Sequence, residues 1–373
     1  MTNRRPVRVA IVGTGGIAEA AHVPALVAQG DRVRIVAACD VDPARVKSFC
    51  DAHAISGVYT DLGALLEEAR PDLVHLCTPP GLHAQQARRC LLAGAWVWTE
   101  KPPCLSLAEY DLITEAEQTS GAYASVVFQH RFGAAGRHAA GLIASGELGR
   151  PLVAHCATTW YRPPAYFDVP WRGSWESEGG GPTMGHGIHQ MDLLLALLGD
   201  WSEVTAMAAR LDRDVQTEDV SVAAVRFDGG ALATIVNSVL SPREESHIRI
   251  DLTEATVEVR HLYGYGNGDW TYTPAPHVTD PARLAGWAAP RGDQPSSHAA
   301  QLAALLDAYD RGERPQVSGP DGRRTLELVT AIYRSAFTRT TVARTDLTAD
   351  DPFYHRLHGD TGGWAPPAPS ESE

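Results

Sequence analysis

The sequence predicts an α/β protein in two parts: an N-terminal doubly wound parallel sheet, then a C-terminal α+β domain with an open, mostly antiparallel sheet. Three observations carry that expectation. The first third alternates short, almost wholly apolar runs with amphipathic helical stretches, the pattern of a parallel sheet buried on both faces. After Arg131 the strand-like runs lengthen, and a hairpin signal joins two of them. A chain of 373 residues also exceeds one ordinary domain, at roughly 100–200 residues each.

Val7–Val12 is the first apolar run, followed by glycines and a helical pattern over Ile17–Gln29. Val33–Cys39 is the second; Asp42 then caps a helix that starts at Pro43, where a missing N–H costs nothing. Leu73–Cys77, Trp96–Thr99 and Tyr123–Phe128 repeat the strand signal. Helical patterns at Asp61–Ala69, His83–Ala93 and Leu107–Thr119 separate these runs, the last opened by the capping box Ser106-x-x-Glu109. Beyond a helix over Gly133–Ser145 come strand candidates at Leu152–Tyr161, Val204–Leu211, Val220–Phe227, Ala231–Val239, His247–Leu252 and Ala255–Leu262. Asp228-Gly229-Gly230 is a hairpin turn between two of them. Gly264–Pro295 reads as a long connection, and the Pro-rich run Ala365-Pro366-Pro367-Ala368-Pro369 as a disordered tail. The expected domains are therefore 1–131, 132–345 and a tail over 346–373.

Lys plus Arg total 32 against 45 for Asp plus Glu, a formal charge of −13. A binder of nucleic-acid phosphates needs a basic face, so nucleic acid is not an expected partner. No stretch approaches the roughly 20 apolar residues of a membrane helix, and the start is not that of a signal peptide. Six cysteines without a C-x-x-C pair fit buried thiols in a reducing compartment better than disulfides or zinc. A cytoplasmic protein without a membrane partner is expected.

The first chemical motif is Gly13-Thr14-Gly15-Gly16-Ile17-Ala18, set between a strand and a helix. Gly13 permits the tight turn, Gly15 lets backbone approach a pyrophosphate, and Ala18 lets helix and strand pack closely, so the helix N-terminus can receive the anion. Asp40 ends the second strand, where a carboxylate accepts both ribose hydroxyls and repels a 2′-phosphate. This Rossmann fingerprint predicts NAD, while Arg45 close by leaves NADP open. Thr78, Pro79 and His83 follow the third strand, and Glu100-Lys101-Pro102 the fourth. All lie at the carboxyl edge of the sheet, where ligands of such folds bind.

With these motifs the chain resembles the Gfo/Idh/MocA group of glucose-fructose oxidoreductase, inositol dehydrogenase and rhizopine catabolism proteins. The resemblance spans about residues 7–345 and rests on several motifs in order. These are the glycine fingerprint, Glu100-Lys101-Pro102, Gln129-x-Arg131, Trp171-Arg172, Gly179-Gly180-Gly181 and Gly187-Ile188-His189-x-x-Asp192. Val317–Gly322 and Ala331–Ala336 match its C-terminal segment. It implies a Rossmann domain, an oligomerising second sheet, and oxidation or reduction of a carbinol on a sugar, cyclitol or similar polyol. It also implies that Lys101 and His189 face the reacting hydroxyl and the nicotinamide. Their chemistry fits those roles: an imidazole takes the hydroxyl proton as hydride leaves carbon, and an ammonium steadies the developing oxygen charge.

One departure concerns the position four residues before His189, where many members have an acid or asparagine and this chain has Gly185 beside His186. His186, His189 and Asp192 stand at successive i, i+3 steps, which on one helix would fan over one side. Three such groups cannot easily converge on one ion, so no metal is expected. Trp160-Tyr161-Arg162, Tyr166 and Trp171-Arg172 offer aromatic faces and guanidinium donors. Tyr161, Arg162 and His186 are substrate candidates, and Trp171 and Arg172 cofactor candidates. Gln129 and Arg131 sit where a nicotinamide carboxamide would lie.

The sequence thus predicts an NAD(P)-dependent oxidoreductase acting on a sugar or polyol, assembled as a homodimer or homotetramer. Two rival readings use the same motifs: a redox-neutral glycosidase or epimerase that retains its NAD, and a non-catalytic nucleotide-sensing regulator.

Overall fold

The computed structural model of the chain describes residues 5–364, so the Pro-rich run expected to be disordered lies outside the described residues. Two compact units divide the rest. One runs to Val127 and takes back His298–Arg323; the other comprises Phe128–Ser297 and resumes at Arg324. The returning segment differs from the expected division at 131/132. Its helix, His298–Arg311, buries Leu302, Leu305 and Leu306 in the core of the first unit. An amphipathic stripe shows that a helix must cover something, but not which sheet it covers.

Six parallel strands form the first unit: β1 (Val7–Val12), β2 (Val33–Cys39), β3 (Gly57–Tyr59), β4 (Leu73–Leu76), β5 (Trp96–Thr99) and β6 (Ala124–Val126). Their spatial order is β3-β2-β1-β4-β5-β6. The order reverses between β1 and β4, and the loops that leave these strands flank the switch point where such sheets bind ligands. Central residues Val9, Ile11, Leu73, Val74, Leu76, Val97 and Trp98 are fully buried, as runs apolar on both faces require. Asp42 caps Pro43–Ala52 by accepting from Ala44 N and Arg45 N, and Ser106 caps Leu107–Ser120. Short β3, half exposed at Val58, gave too little apolar signal to be expected.

The helix expected over Ile17–Gln29 takes a different form. Ala18–His22 is a wide π-turn, in which Val23 N–H bonds back to Ala18 O, and Val23–Val27 continues as α-helix. Pro24 lacks the N–H that an α-helical turn would need there, and the wider turn accommodates that loss.

The second unit is built on eight strands: β7 (Pro151–Tyr161), β8 (Trp201–Ala209), β9 (Val220–Phe227), β10 (Leu232–Ser238), β11 (Leu240–Leu252), β12 (Ala255–His261), β13 (Trp270–Pro274) and β14 (Val342–Ala343). They run in the order β13-β12-β11-β7-β10-β9-β8-β14. The β7–β10 pair is parallel and the others are antiparallel, with the Asp228–Gly230 turn joining β9 to β10 as expected. Helix Ile188–Leu198 packs on β7 and β11. On the opposite face Val153, Met207, Val222 and Leu232 are exposed.

Three expectations change in this unit. Gly264–Pro295 is no plain loop, since it supplies edge strand β13 and a helix, Pro281–Trp287. Residues 346–364, expected in the tail, are packed: Phe353 and Leu357 are buried, and the Trp364 ring stacks on Phe337 at 4.0 Å. The single helix expected to carry His186, His189 and Asp192 is two. Pro182–Gly185 ends at His186, and a second helix starts at Ile188. That second helix is buried nearly all round, so His189, Gln190 and Asp192 are interior polar groups.

Candidate functional site

Gly13 follows β1 at φ +87°, and a Cβ there would lie 2.8 Å from the Cys77 carbonyl at the end of β4. Only glycine fits that turn. Gly15 and Gly16 face open space, with nothing within 4 Å of the place a Cβ would take, so this backbone remains approachable. Ile17, partly exposed, starts the helical turn beyond.

Asp40 Oδ2 accepts from Thr14 N at 2.9 Å and Thr14 Oγ1 at 3.0 Å; Oδ1 accepts from Asp42 N at 3.0 Å and faces Arg45 Nη1 at 3.2 Å. Burial alone would raise its pKa, but these donors and the Arg45 charge outweigh burial and lower it. Thr14 is thus the residue that locks Asp40 as an oriented carboxylate. An open glycine turn ahead of a helix, with an ionised acid at the end of the next strand, fits a dinucleotide.

Thr78 Oγ1 donates to Gln86 Oε1 at 2.6 Å, and Pro79 precedes the one-turn helix Pro80–Leu82. His83 does not open toward a ligand. It is fully buried, and its ring nitrogens bridge Pro102 O at 2.8 Å and Thr78 O at 2.7 Å, tying together the loops after β4 and β5. Glu100 also turns inward: its Oε1 lies 3.0 Å from both His22 Nε2 and His298 Nε2. Both residues were expected at the cofactor. Their partners, 19 and 198 residues away in the chain, are what turn them inward. Among the described residues, His22, Glu100 and His298 form the only group of His, Cys, Asp or Glu close enough to share an ion, and hydrogen bonding accounts for its spacing. Lys101, next in the chain, is partly exposed.

In the second unit His189 lies in an aromatic and imidazole cluster. Its ring centroid is 5.1 Å from His130, 5.7 Å from Tyr263 and 6.1 Å from Phe128. His130 stands edge-on to His261 at 5.0 Å, and His261 Nε2 meets Gln190 Nε2 at 3.0 Å. Burial pushes the His261 pKa down to about 4, so this ring is neutral. Gln129 donates to Tyr263 Oη at 2.7 Å, and its buried Oε1 has no partner among the described residues. That acceptor suits a carboxamide N–H. Arg131 is committed elsewhere: it forks onto Asp192, which Thr325 Oγ1 also contacts at 3.0 Å.

The aromatic stretch separates into two faces. In β7 side chains alternate, so Trp160 turns inward while Tyr161 is exposed under Arg213. Tyr161, expected at the substrate, therefore faces away from the cluster, and Trp160 takes that place, edge-on to His186 at 5.2 Å and 6.2 Å from Tyr263. The Arg162 guanidinium lies over Trp160 at 4.7 Å and bonds Glu244. The Arg172 guanidinium lies 3.6 Å from the centre of the Tyr166 ring and 5.1 Å from that of Trp171, and Tyr166 Oη is 3.4 Å from His186 Nε2.

Glu218 holds the backbone that leads to His186 and His189. It accepts from Gly181 N and Thr183 N, both at 3.0 Å, and from Tyr333 Oη at 2.9 Å. A Cβ at Gly181 would overlap the Glu218 carbonyl, which explains part of the Gly179-Gly180-Gly181 run.

Sequence reasoning did not single out His22, His75, His130, His261, His298, Trp98, Glu218 or Tyr263 for the site. None of them stands in a motif at a fixed offset, so no local signal marked them.

Comparison with known proteins places these features in context. The model of an oxidoreductase family with an NAD-binding Rossmann fold matches residues 7–128, and that of the GFO/IDH/MocA C-terminal domain matches residues 137–258. D-glucoside 3-dehydrogenase of Escherichia coli is 25% identical over 363 residues, covering 90% of this chain and 97% of its own. Myo-inositol 2-dehydrogenase of Thermotoga maritima is 25% identical, covering 88% and 96%. Among solved structures, the WlbA dehydrogenase from Bordetella pertussis, in complex with NADH and UDP-GlcNAcA, is 29% identical with a TM-score of 0.81, covering 91% of this chain and 99% of its own.

Proposed function

Because the chain belongs to the GFO/IDH/MocA oxidoreductase family, we propose that it is an NAD-dependent enzyme that interconverts a secondary alcohol and a ketone on a sugar, cyclitol or similar polyol. The observation that carries this reading is the pairing of an open glycine turn with an ionised Asp40, in a chain that also has Lys101 and His189. Relatives named for glucosides and inositol support the substrate class.

When bound, the nicotinamide supplies the two-electron partner of the reaction. Gly15 and Gly16 would offer backbone to its pyrophosphate, Asp40 would accept from the ribose hydroxyls, and Gln129 Oε1 would accept from the carboxamide. His189 takes the proton of the substrate hydroxyl as the carbonyl forms. The Lys101 ammonium donates a hydrogen bond to the same oxygen and stabilises charge that grows on it. Trp160 and Tyr166 give apolar faces to a sugar ring, while Arg162 and Arg172 give donors to its hydroxyls.

The open sheet face around Val153, Met207, Val222 and Leu232 supports self-association as a dimer or tetramer, since exposed apolar patches of that kind mark contact surfaces. Six unpaired, buried cysteines support a cytoplasmic setting, and no described helix is long and apolar enough to cross a membrane.

A panel of sugars, inositols and keto-sugars assayed with NAD and NADP tests the proposal. Growth or decay of the reduced-nicotinamide absorbance with at least one polyol is expected, with NAD preferred. Release of an aglycone without net cofactor reduction would replace it with the redox-neutral reading.

A further inference from the structure

One cluster of buried titratable groups takes no part in the steps above. Glu100 ends in the interior of the first unit, one residue before Lys101. Its Oε1 meets His22 Nε2 and His298 Nε2, each at 3.0 Å, and its Oε2 accepts from the backbone N–H of Lys101 at 3.2 Å. His22 Nδ1 faces His75 Nδ1 at 3.0 Å. The Trp98 ring packs against all three imidazoles, at centroid distances of 5.0, 4.9 and 5.8 Å.

The proton arrangement follows from these contacts. Burial would raise the Glu100 pKa, but the bonds from His22 and His298 outweigh it and hold the carboxyl well below its usual range. Burial lowers the His22 pKa and lowers that of His75 further, so both rings are neutral. A neutral His22 that gives Nε2–H to the carboxylate has a lone pair on Nδ1, which Nδ1–H of His75 fills. The chain of donors therefore runs from His75 through His22 and ends on Glu100, which also accepts from His298 and from the amide N–H of Lys101.

Four elements supply this cluster: the π-turn after the glycine loop, β4, the segment after β5, and the helix His298–Arg311. Apolar side chains would fill the same space without the desolvation cost of a buried carboxylate. We propose that His22 and His298 are positioning residues that hold Glu100 as a buried anion bonded to the Lys101 backbone, fixing the lysine-bearing segment and favouring its ammonium form. The proposal rests on Lys101 as the ammonium that steadies the substrate oxygen in the reaction above. The other titratable groups that face this charge are His83, which feels both Glu100 and Lys101, and Cys77, which burial and the Glu100 charge keep as a thiol.

The composition of the chain permits a direct test. Lys47 and Lys101 are its only lysines, so reductive methylation with isotope-labelled formaldehyde gives NMR signals that read the Lys101 titration by itself. Lys47, exposed and paired with Asp51, serves as the internal reference. Glu100→Gln, close in shape to the native residue, is expected to lower the Lys101 midpoint by about one pH unit, the lower end of the effect of a nearby opposite charge. His22→Leu and His298→Leu are expected to shift it the same way with Lys47 unmoved, and His298→Gln, which keeps an N–H donor, to recover most of the shift. An unmoved Lys101 midpoint in Glu100→Gln would overturn the proposal, as would equal shifts in His298→Gln and His298→Leu. So would a stoichiometric metal ion in the purified protein that is lost with the same substitutions. The titration needs no substrate, so its outcome is separate from whether a polyol is oxidised.

Discussion

The two units prepare for a ligand by different means. In the first, the surface offered to the cofactor is mostly backbone: an open glycine turn after β1, with one carboxylate, Asp40, oriented by its neighbours. In the second it is side chains: His189, His130, Tyr263, Trp160 and Tyr166 come from a helix, two short helical segments, a loop and a strand end, and meet only when the unit folds. Backbone surfaces depend on local conformation and tolerate little change. Side-chain walls depend on distant packing and can vary from one protein to the next without altering the fold.

The largest effect that could break this contrast is at Gly13. An alanine there would press on the Cys77 carbonyl at a φ that only glycine adopts readily. Gly13→Ala is expected to weaken NAD binding by about 100-fold or more, a cost of about 3 kcal/mol, in titration calorimetry. Unchanged affinity would show that the cradle does not depend on that turn.

Next in size is the Arg131–Asp192 pair, which anchors the His189 helix from within. Asp192 is fully buried, and removing one partner of such a pair typically costs about 3–5 kcal/mol because a charge is left uncompensated. Arg131→Leu is expected to lower the thermal midpoint of the second unit by several degrees while leaving NAD binding intact. Equal losses in both properties would mean that the two units are not energetically separable.

A smaller effect, dependent on pH, belongs to Glu218. Burial pushes its pKa up to about 7 from the usual 4.5, against the donors that it accepts from. The folded state therefore holds a proton more tightly than the unfolded state. The contribution of Glu218 to stability is greatest below about pH 4.5 and is lost as pH rises through about 7, by about 3 kcal/mol. Melting scans from pH 5 to 8 should show this decline, and Glu218→Gln should flatten it. An unchanged slope in the variant would assign the decline to other groups.

How much of this was legible in the sequence follows the same division. Strands buried on both faces announce themselves as apolar runs, and the glycine turn, Asp40, the Asp42 cap and Lys101 are local features at fixed offsets. Glu100 and His83 were read as cofactor residues because position at a strand end is visible, whereas the partners that turn them inward are distant in the chain. Tyr161 and Trp160 are adjacent letters, and only the pairing of β7 with its neighbours decides which of them faces the cluster. His130, His261 and Tyr263 had no motif to mark them. The break between Pro182–Gly185 and Ile188–Leu198 was likewise hidden, since helical periodicity persists across it.

The proposed chemistry has His189 take the proton of the substrate hydroxyl while the Lys101 ammonium steadies the same oxygen. The most direct measurement is the turnover of Lys101→Arg and His189→Asn on an identified polyol, with NADH binding followed in parallel. Arginine keeps the positive charge but replaces the compact ammonium with a broad planar fork, and asparagine keeps a polar side chain but no base. Each variant is expected to lose about 100-fold or more in kcat, the range of a general base for His189 and of a donor to developing oxygen charge for Lys101, with NADH affinity within about threefold of the parent. Near-parental kcat in either variant, on the same polyol and with NADH still bound, would contradict the account.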